Sequence, residues 1–273
     1  MTYLLIPAIG FYLTSSACYG GFLFLQKERY QQAGFVLMLS GFAVHTAIVV
    51  AKTFTAGVIP VQNLHETLLF VAWIFAAVFL AFKIYSGLKV LGVFAAPLIT
   101  LISAAAFMVP DKAAPIETSL ASLWLILHVM LIFTGMAALS LAAGTGILYL
   151  IQKRNIKSKK HRFFYKRLPS LEMLDSTGYT FVIIGFSALS VGLITGFVYA
   201  HSVWGRFWSW DPKEVWSAIT WLIYAALLHE RLMSRWRGSR AAILAIIGFA
   251  AMLFTFLGVN FLLEGHHNEF TRW

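Results

Sequence analysis

The 273-residue chain contains a single cysteine, Cys18, so a disulfide framework is excluded. It has no CxxC pair and no CxxCH haem-attachment signature, and is therefore not itself a c-type cytochrome. HExxH and similar spacings are missing. Zinc wants three or four close ligands, and with one cysteine they would have to be histidines and carboxylates, so zinc is disfavoured. Charge is scarce as well: 12% of the residues are charged, 11 acidic against 21 basic. No stretch between the apolar runs is long enough for a large soluble domain. The first apolar run lacks a basic leader and a small-residue cleavage site, which predicts a retained helix rather than a removed signal peptide.

What fills the chain instead is apolar sequence, 60% hydrophobic with a mean hydropathy of +0.78. That is outside the range of ordinary soluble domains. Runs of about twenty apolar residues, each long enough to cross a bilayer as a helix, recur throughout. Eight are expected, at 3–25, 34–52, 66–86, 89–110, 118–151, 177–200, 214–234 and 241–263. The fifth exceeds a simple span and is expected to tilt or project. The reading is all-α: a polytopic helix bundle forming a single transmembrane domain over 1–273.

The net charge of +10 is unevenly placed. With eight spans, one side collects Lys27, Arg29, Lys83, Lys89, eight residues within 153–167, and Arg231, Arg235, Arg237 and Arg240, which is 16 of 21. The other side holds Lys52, Lys112, Arg206, Lys213 and Arg272. Lysine and arginine gather on the cytoplasmic face, so both termini are expected outside, N-out and C-out, in a cytoplasmic (inner) membrane. The run "QKRNIKSKKHRFFYKR" in loop 152–174 reads as an orientation signal near anionic membrane lipid, not as a nucleic-acid site.

This topology puts the most unusual stretch, "WGRFWSWDPKEVW" at 204–216, on the outer face within loop 201–216. Trp204 and Trp208 are four apart, so a short interfacial helix is expected to carry both on one face. Asp211 fits an N-cap, Pro212 the first helical turn, and Glu214 the third position of a capping box. Trp216 and Trp221 read as helix packing or belt residues. Trp204, Trp208 and Trp210 together suggest an apolar platform for a planar ligand.

Eight histidines sharpen that reading. His161 lies in the basic loop and reads as solvated. The others, His45, His65, His128, His201, His229, His266 and His267, lie within or at the ends of spans, where ionisable residues tend to be functional. His128 falls in the outer third of the fifth span, and His266 and His267 follow the eighth. A lone histidine in a bundle is more often a packing residue than a ligand. Two at the same outer level, with a tryptophan shelf between their spans, fit a haem with two imidazole axial ligands.

The stretch "WGRFWSWDPKEVWSAITWLIYAALLHERL" resembles the tryptophan-rich (WWD) signature of haem-handling proteins in cytochrome c maturation, specifically the CcsA (ResC) family of system II. The likeness continues through "LPSLEMLDSTGYTFVIIGFSALSVGLITGFVYAHSVWG" and "GVNFLLEGHH", and more weakly through "GFAVHTAIVVAKTFTAGVIPVQNLHETLLFVAW". The resemblance implies export of haem b and its attachment to extracytoplasmic apocytochromes carrying CxxCH, together with a CcsB (ResB) membrane partner as a holocytochrome c synthase. It implies external iron ligation by His128, in "LILHVM", and His267, with His266 the alternative beside it. His229, in "YAALLHERL", matches the family's transmembrane haem histidine, whose counterpart comes from the CcsB portion, and His45 is a runner-up. Trp204, Trp208, Trp210 and Asp211 correspond to the platform. Arg206 and Lys213 are near enough in sequence to meet propionates, or are solvated loop charges. No residue reads as a nucleophile, so any synthase activity would rest on positioning the reactants.

Two other classes compete: a HemX-like membrane regulator or chaperone of haem synthesis, and a transporter using its tryptophans only as a belt. HemX-like relatives generally lack the full WxWDPKE loop, which argues against the first. Alkaline phosphatase fused after residue 210 or residue 270 is expected to be active, and a fusion near residue 158 inactive. The reverse pattern would invert the topology.

Overall fold

The computed structural model describes residues 2–85, 88–111, 121–158, 167–234 and 236–263. Eight helices occupy the eight expected runs: α1 (Leu5–Leu25), α2 (Glu28–Ala56), α3 (Leu64–Tyr85), α4 (Gly92–Met108), α5 (Leu123–Lys157), α6 (Leu171–Trp204), α7 (Pro212–Met233) and α8 (Ser239–Leu253). α8 runs on through a π turn, Phe254–Gly258, into a last short helix, α9 (Val259–Leu262). No strand occurs among the described residues. In hydrocarbon the backbone must satisfy its own hydrogen bonds, and helices do so within one segment.

Among the described residues, seven helices are long and apolar enough to cross a membrane. The protein is a multi-pass membrane protein. The remaining one, α7, has 22 residues but carries Lys213 and Glu214 at one end and His229, Glu230 and Arg231 at the other. The fifth and sixth helices, at 35 and 34 residues, outrun a single bilayer crossing.

The described residues form two compact units. The first comprises residues up to Phe133 and Gly192–Phe207. Its α1 packs on α2 and α4, and α3 on α4. Tyr12 and Tyr19 are fully buried. Glycines make room for them: a Cβ at Gly34 would lie 3.1 Å from the Tyr19 ring, and one at Gly41 2.8 Å from Tyr12. Beside the α2 terminus, Lys52 Nζ donates to Glu66 Oε1 (3.1 Å) and Asp111 Oδ2 (2.9 Å). Burial pushes the Asp111 carboxyl up, but the hydrogen bond from Lys52 and the proximity of His65 outweigh it and hold it below its ordinary value.

The second unit takes in Thr134–Val191 and the chain from Trp208 onward. Here α5 and α6 approach closely through glycine: a Cβ on Gly135 would lie 3.0 Å from the Gly185 carbonyl oxygen. Arg231 of α7 forms a two-pronged pair with Asp175 of α6, Nη1 to Oδ1 at 3.0 Å and Nη2 to Oδ2 at 2.8 Å. The Gly238 N–H donates to the same carboxylate at 2.8 Å, and the guanidinium lies over the Tyr179 ring. Both ends of the α7–α8 turn are thereby tied to α6.

Arg231→Ala leaves the mostly buried Asp175 without its partner, and such truncations cost about 3–5 kcal/mol. A clear fall in the thermal midpoint of the detergent-solubilised protein is expected. Asp175→Ala in the same chain should recover part of it. Strict additivity of the two losses would refute the coupling.

Candidate functional site

The tryptophan-rich loop begins where α6 stops. Gly205 takes φ +71°, a left-handed conformation open to glycine, and its N–H returns to the His201 carbonyl at 3.0 Å. The helix expected through Trp204 and Trp208 is therefore not formed: Trp204 ends α6, and Trp208 follows on non-helical chain. The cause is local, because a C-terminal glycine cap halts the helix before the second tryptophan. Residues 205–211 carry their rings on an irregular backbone instead of one helix face.

On the first unit's side of this loop, Trp204 is half-buried and packs edge-on against Tyr199 at 6.4 Å. His201 stacks on Phe207 with centroids 4.3 Å apart. Arg206 is exposed. On the second unit's side, Trp208 and Trp210 meet at right angles, 5.7 Å apart. Trp210 is 77% exposed and sits at φ +60°. For a bulky residue that conformation costs roughly 1–3 kcal/mol and persists only where its surroundings impose it.

The imposing group is the capping box at the start of α7. Asp211 is buried, and its Oδ1 accepts from the Lys213 N–H at 2.9 Å. Glu214 reaches back to accept from the Asp211 N–H at 3.2 Å and the Ser209 N–H at 2.8 Å. Its other oxygen takes the Ser209 hydroxyl at 3.0 Å. Sequence reasoning expects the box but not its extension across Trp210. Lys213 is half-buried within the first turn of α7.

His128, on α5, is half-buried, and its Nδ1 lies 2.7 Å from the Gly192 carbonyl oxygen of α6. A carbonyl only accepts, so Nδ1 carries the proton, and in the neutral ring the lone pair belongs to Nε2. Imidazoles that bind metal are oriented in this way, with the other ring nitrogen donating to a carbonyl or carboxylate. Gly196, one turn further along α6, makes the approach possible: a Cβ there would sit 2.5 Å from Nδ1 and 2.6 Å from Cε1. Gly192 and Gly196 escape a search for chemistry-bearing side chains. Their i, i+4 spacing in "GLITG" is the signal that they share a helix face.

The other candidates divide. His45 is fully buried in α2, with Nδ1 3.2 Å from the Tyr12 hydroxyl, the arrangement of a packing histidine. His229 is exposed on α7, opposite the buried Thr220, Tyr224 and Leu227. It shares its outward stripe with Leu222, Ala226 and Met233. His266 and His267 lie outside the described residues. Among the described residues, no group of three or more metal-binding side chains gathers.

The model of the family described as "Cytochrome C assembly protein" matches residues 61–267, from before α3 to the double histidine. The chain belongs to the cytochrome c assembly protein family. Among its relatives is cytochrome c biogenesis protein CcsA of Guillardia theta, 33% identical over 97% of this chain and 92% of that protein. CcsA of Pyropia yezoensis is 34% identical over 80% and 81%, respectively. The solved structure of cytochrome c haem lyase CcmF aligns with 98% of this chain at a TM-score of 0.67 and 18% identity, and so shares the fold. This chain spans about half of CcmF, 47% of its length. Membership of the assembly family gives the protein a role in cytochrome c maturation.

Gly196→Ala adds helix propensity of about 1 kcal/mol. It is nevertheless expected to push the His128 ring off the Gly192 carbonyl and lower holocytochrome c yield roughly 10–100-fold, as losses of ligand-orienting contacts do. Haem-stained gels of cells carrying the variant measure this. A wild-type yield would show that the ring's seat is dispensable.

Proposed function

We propose that the protein handles haem b as its cargo, exporting it and presenting it on the outer face for covalent attachment to apocytochrome c. The observation that carries this reading is the His128 imidazole, seated through Nδ1 on the Gly192 carbonyl at a close approach that Gly196 permits. His128 and His267 are the proposed axial ligands, with His266 as the alternative second ligand. The indoles of Trp204, Trp208 and Trp210 are the proposed cover that limits water at the macrocycle, and Asp211 fixes the loop through its cap. Arg206 and Lys213 are the proposed partners of the propionates. The topology that goes with this reading is N-out and C-out in the inner membrane, with the tryptophan loop outside.

The part played by the chain in attachment is positional. It holds the porphyrin and restricts water while reduced CxxCH thiols of the apocytochrome meet the vinyl edge, and orientation of this kind lowers a barrier without a nucleophile of its own. As the CcsA part of a haem lyase, it would work with a CcsB-like membrane protein. The outward stripe of α7 supports that pairing: Leu222, Ala226, His229 and Met233 put an imidazole among apolar side chains on a face that the chain does not bury. An ionisable residue at such a place is a functional site by default. Pro212 to His229 covers ~25 Å of helix at 1.5 Å per residue, so an outer ligand set and His229 serve two successive haem positions.

The purified protein is expected to show a Soret band, with paired α and β bands on reduction. His128→Ala or His267→Ala should lose haem and stop cytochrome c maturation, and added imidazole should partly restore both. His229→Ala should empty the outer position while its ligands remain intact. A colourless wild-type protein sinks the haem reading, and a His229→Ala protein with normal outer haem sinks the two-position pathway.

A further inference from the structure

The backbone around Trp210 is built in an unusual way. Its φ of +60° is a conformation in which L side chains are rarely found, and its indole nevertheless stands 77% exposed, with little packing to compensate. The N–H groups on either side, of Ser209 and Asp211, both donate to one atom, Oε2 of Glu214, at 2.8 and 3.2 Å. The second oxygen, Oε1, accepts from the Ser209 hydroxyl at 3.0 Å. Glu214 sits in the first turn of α7, a 22-residue helix, so the carboxylate is anchored on a long rigid element. An ordinary capping box needs only the contact to Asp211. The grip on Ser209 encloses Trp210 between two tethered amides and leaves the left-handed turn as the way to close the loop.

We propose that Glu214 is a positioning residue: by clamping the amides on both sides of Trp210 it holds that residue left-handed and presents its indole, with Trp208 at right angles, as a preformed wall for a planar ligand. This rests on the haem reading above and adds to it the device that pre-organises the loop. A wall set before binding spares the ligand the entropy of ordering it. The role proposed for the clamp is geometric: both main-chain donors converge on one oxygen, and their placement is what fixes the turn. A glutamine can reproduce all three contacts: its carbonyl oxygen accepts both N–H groups, and its amide donates to the Ser209 hydroxyl. Aspartate keeps the charge but is one methylene too short.

The test uses the full chain in detergent, with hemin as the probe and amide hydrogen exchange as a readout independent of haem. In Glu214→Ala and Glu214→Asp the Ser209 and Asp211 amides are expected to exchange roughly tenfold faster or more, as loss of a hydrogen bond worth about a factor of ten implies. Hemin affinity should fall by a similar factor, and the Soret maximum should shift. Glu214→Gln should keep both properties much closer to wild type than Glu214→Ala does, the same contacts being remade without the charge. Trp210→Gly, which tolerates positive φ and lacks the ring, should keep the two amides protected and still lose hemin affinity. If Glu214→Gln is as damaging to hemin binding as Glu214→Ala, the carboxylate acts by charge and the proposal is overturned. It is equally overturned if Glu214→Ala frees the amides without changing hemin affinity. Failure of the wild-type chain to take up hemin removes the haem reading itself, a result distinguished by amide protection that still depends on Glu214.

Discussion

A peptide group left unpaired in hydrocarbon costs several kcal/mol, and the chain answers this by keeping nearly every described residue in helix. Among the described residues, irregular backbone lies mainly in the turns between helices, where water or side chains can satisfy it. One such departure, residues 205–211, shows what that requires: Gly205 closes α6, and the Asp211 and Glu214 carboxylates take up amides that α7 cannot. The exposed indole of Trp210 is displayed by a loop whose polar backbone is supported from within.

The same economy governs the charged groups. Lys52 is shared by two carboxylates at the end of α2, and Asp175 is shared by Arg231 and a main-chain N–H where α7 turns into α8. At both places a charge close to apolar helices has a partner of opposite sign, which offsets desolvation without relying on solvent. His128 solves a related problem with a neutral ring, using the Gly192 carbonyl to set its tautomer. That carbonyl also accepts from Thr195 Oγ1 at 2.9 Å, so the seat is itself braced.

The helices were legible because an apolar run of twenty residues has few other ways to exist in a membrane, and all eight expected runs carry one. α7 was read as an apolar run of about twenty residues although its terminal charges dilute its hydropathy. The interfacial helix through Trp204 and Trp208 was misread because spacing alone suggests one face, whereas Gly205 between them ends the helix. His128 stood out as an ionisable residue in an apolar run. Gly196 did not, since its contribution is the absence of a side chain and becomes visible only when α5 and α6 are side by side. The DPKE box was readable, but the second grip of Glu214 depends on a left-handed tryptophan that no local propensity favours.

The π turn at Phe254–Gly258 holds one more residue than an α-turn would, and Thr255 pins it to α7 through the Trp216 carbonyl and the Thr220 hydroxyl. An added residue advances the helical phase by about 100°. The azimuth at which α9 continues from α8 is thus fixed by this local insertion and not by the apolar pattern of α8. Related sequences lacking that residue would need a compensating change nearby to present α9 at the same azimuth, so a one-residue gap here is a change of aim and not of length.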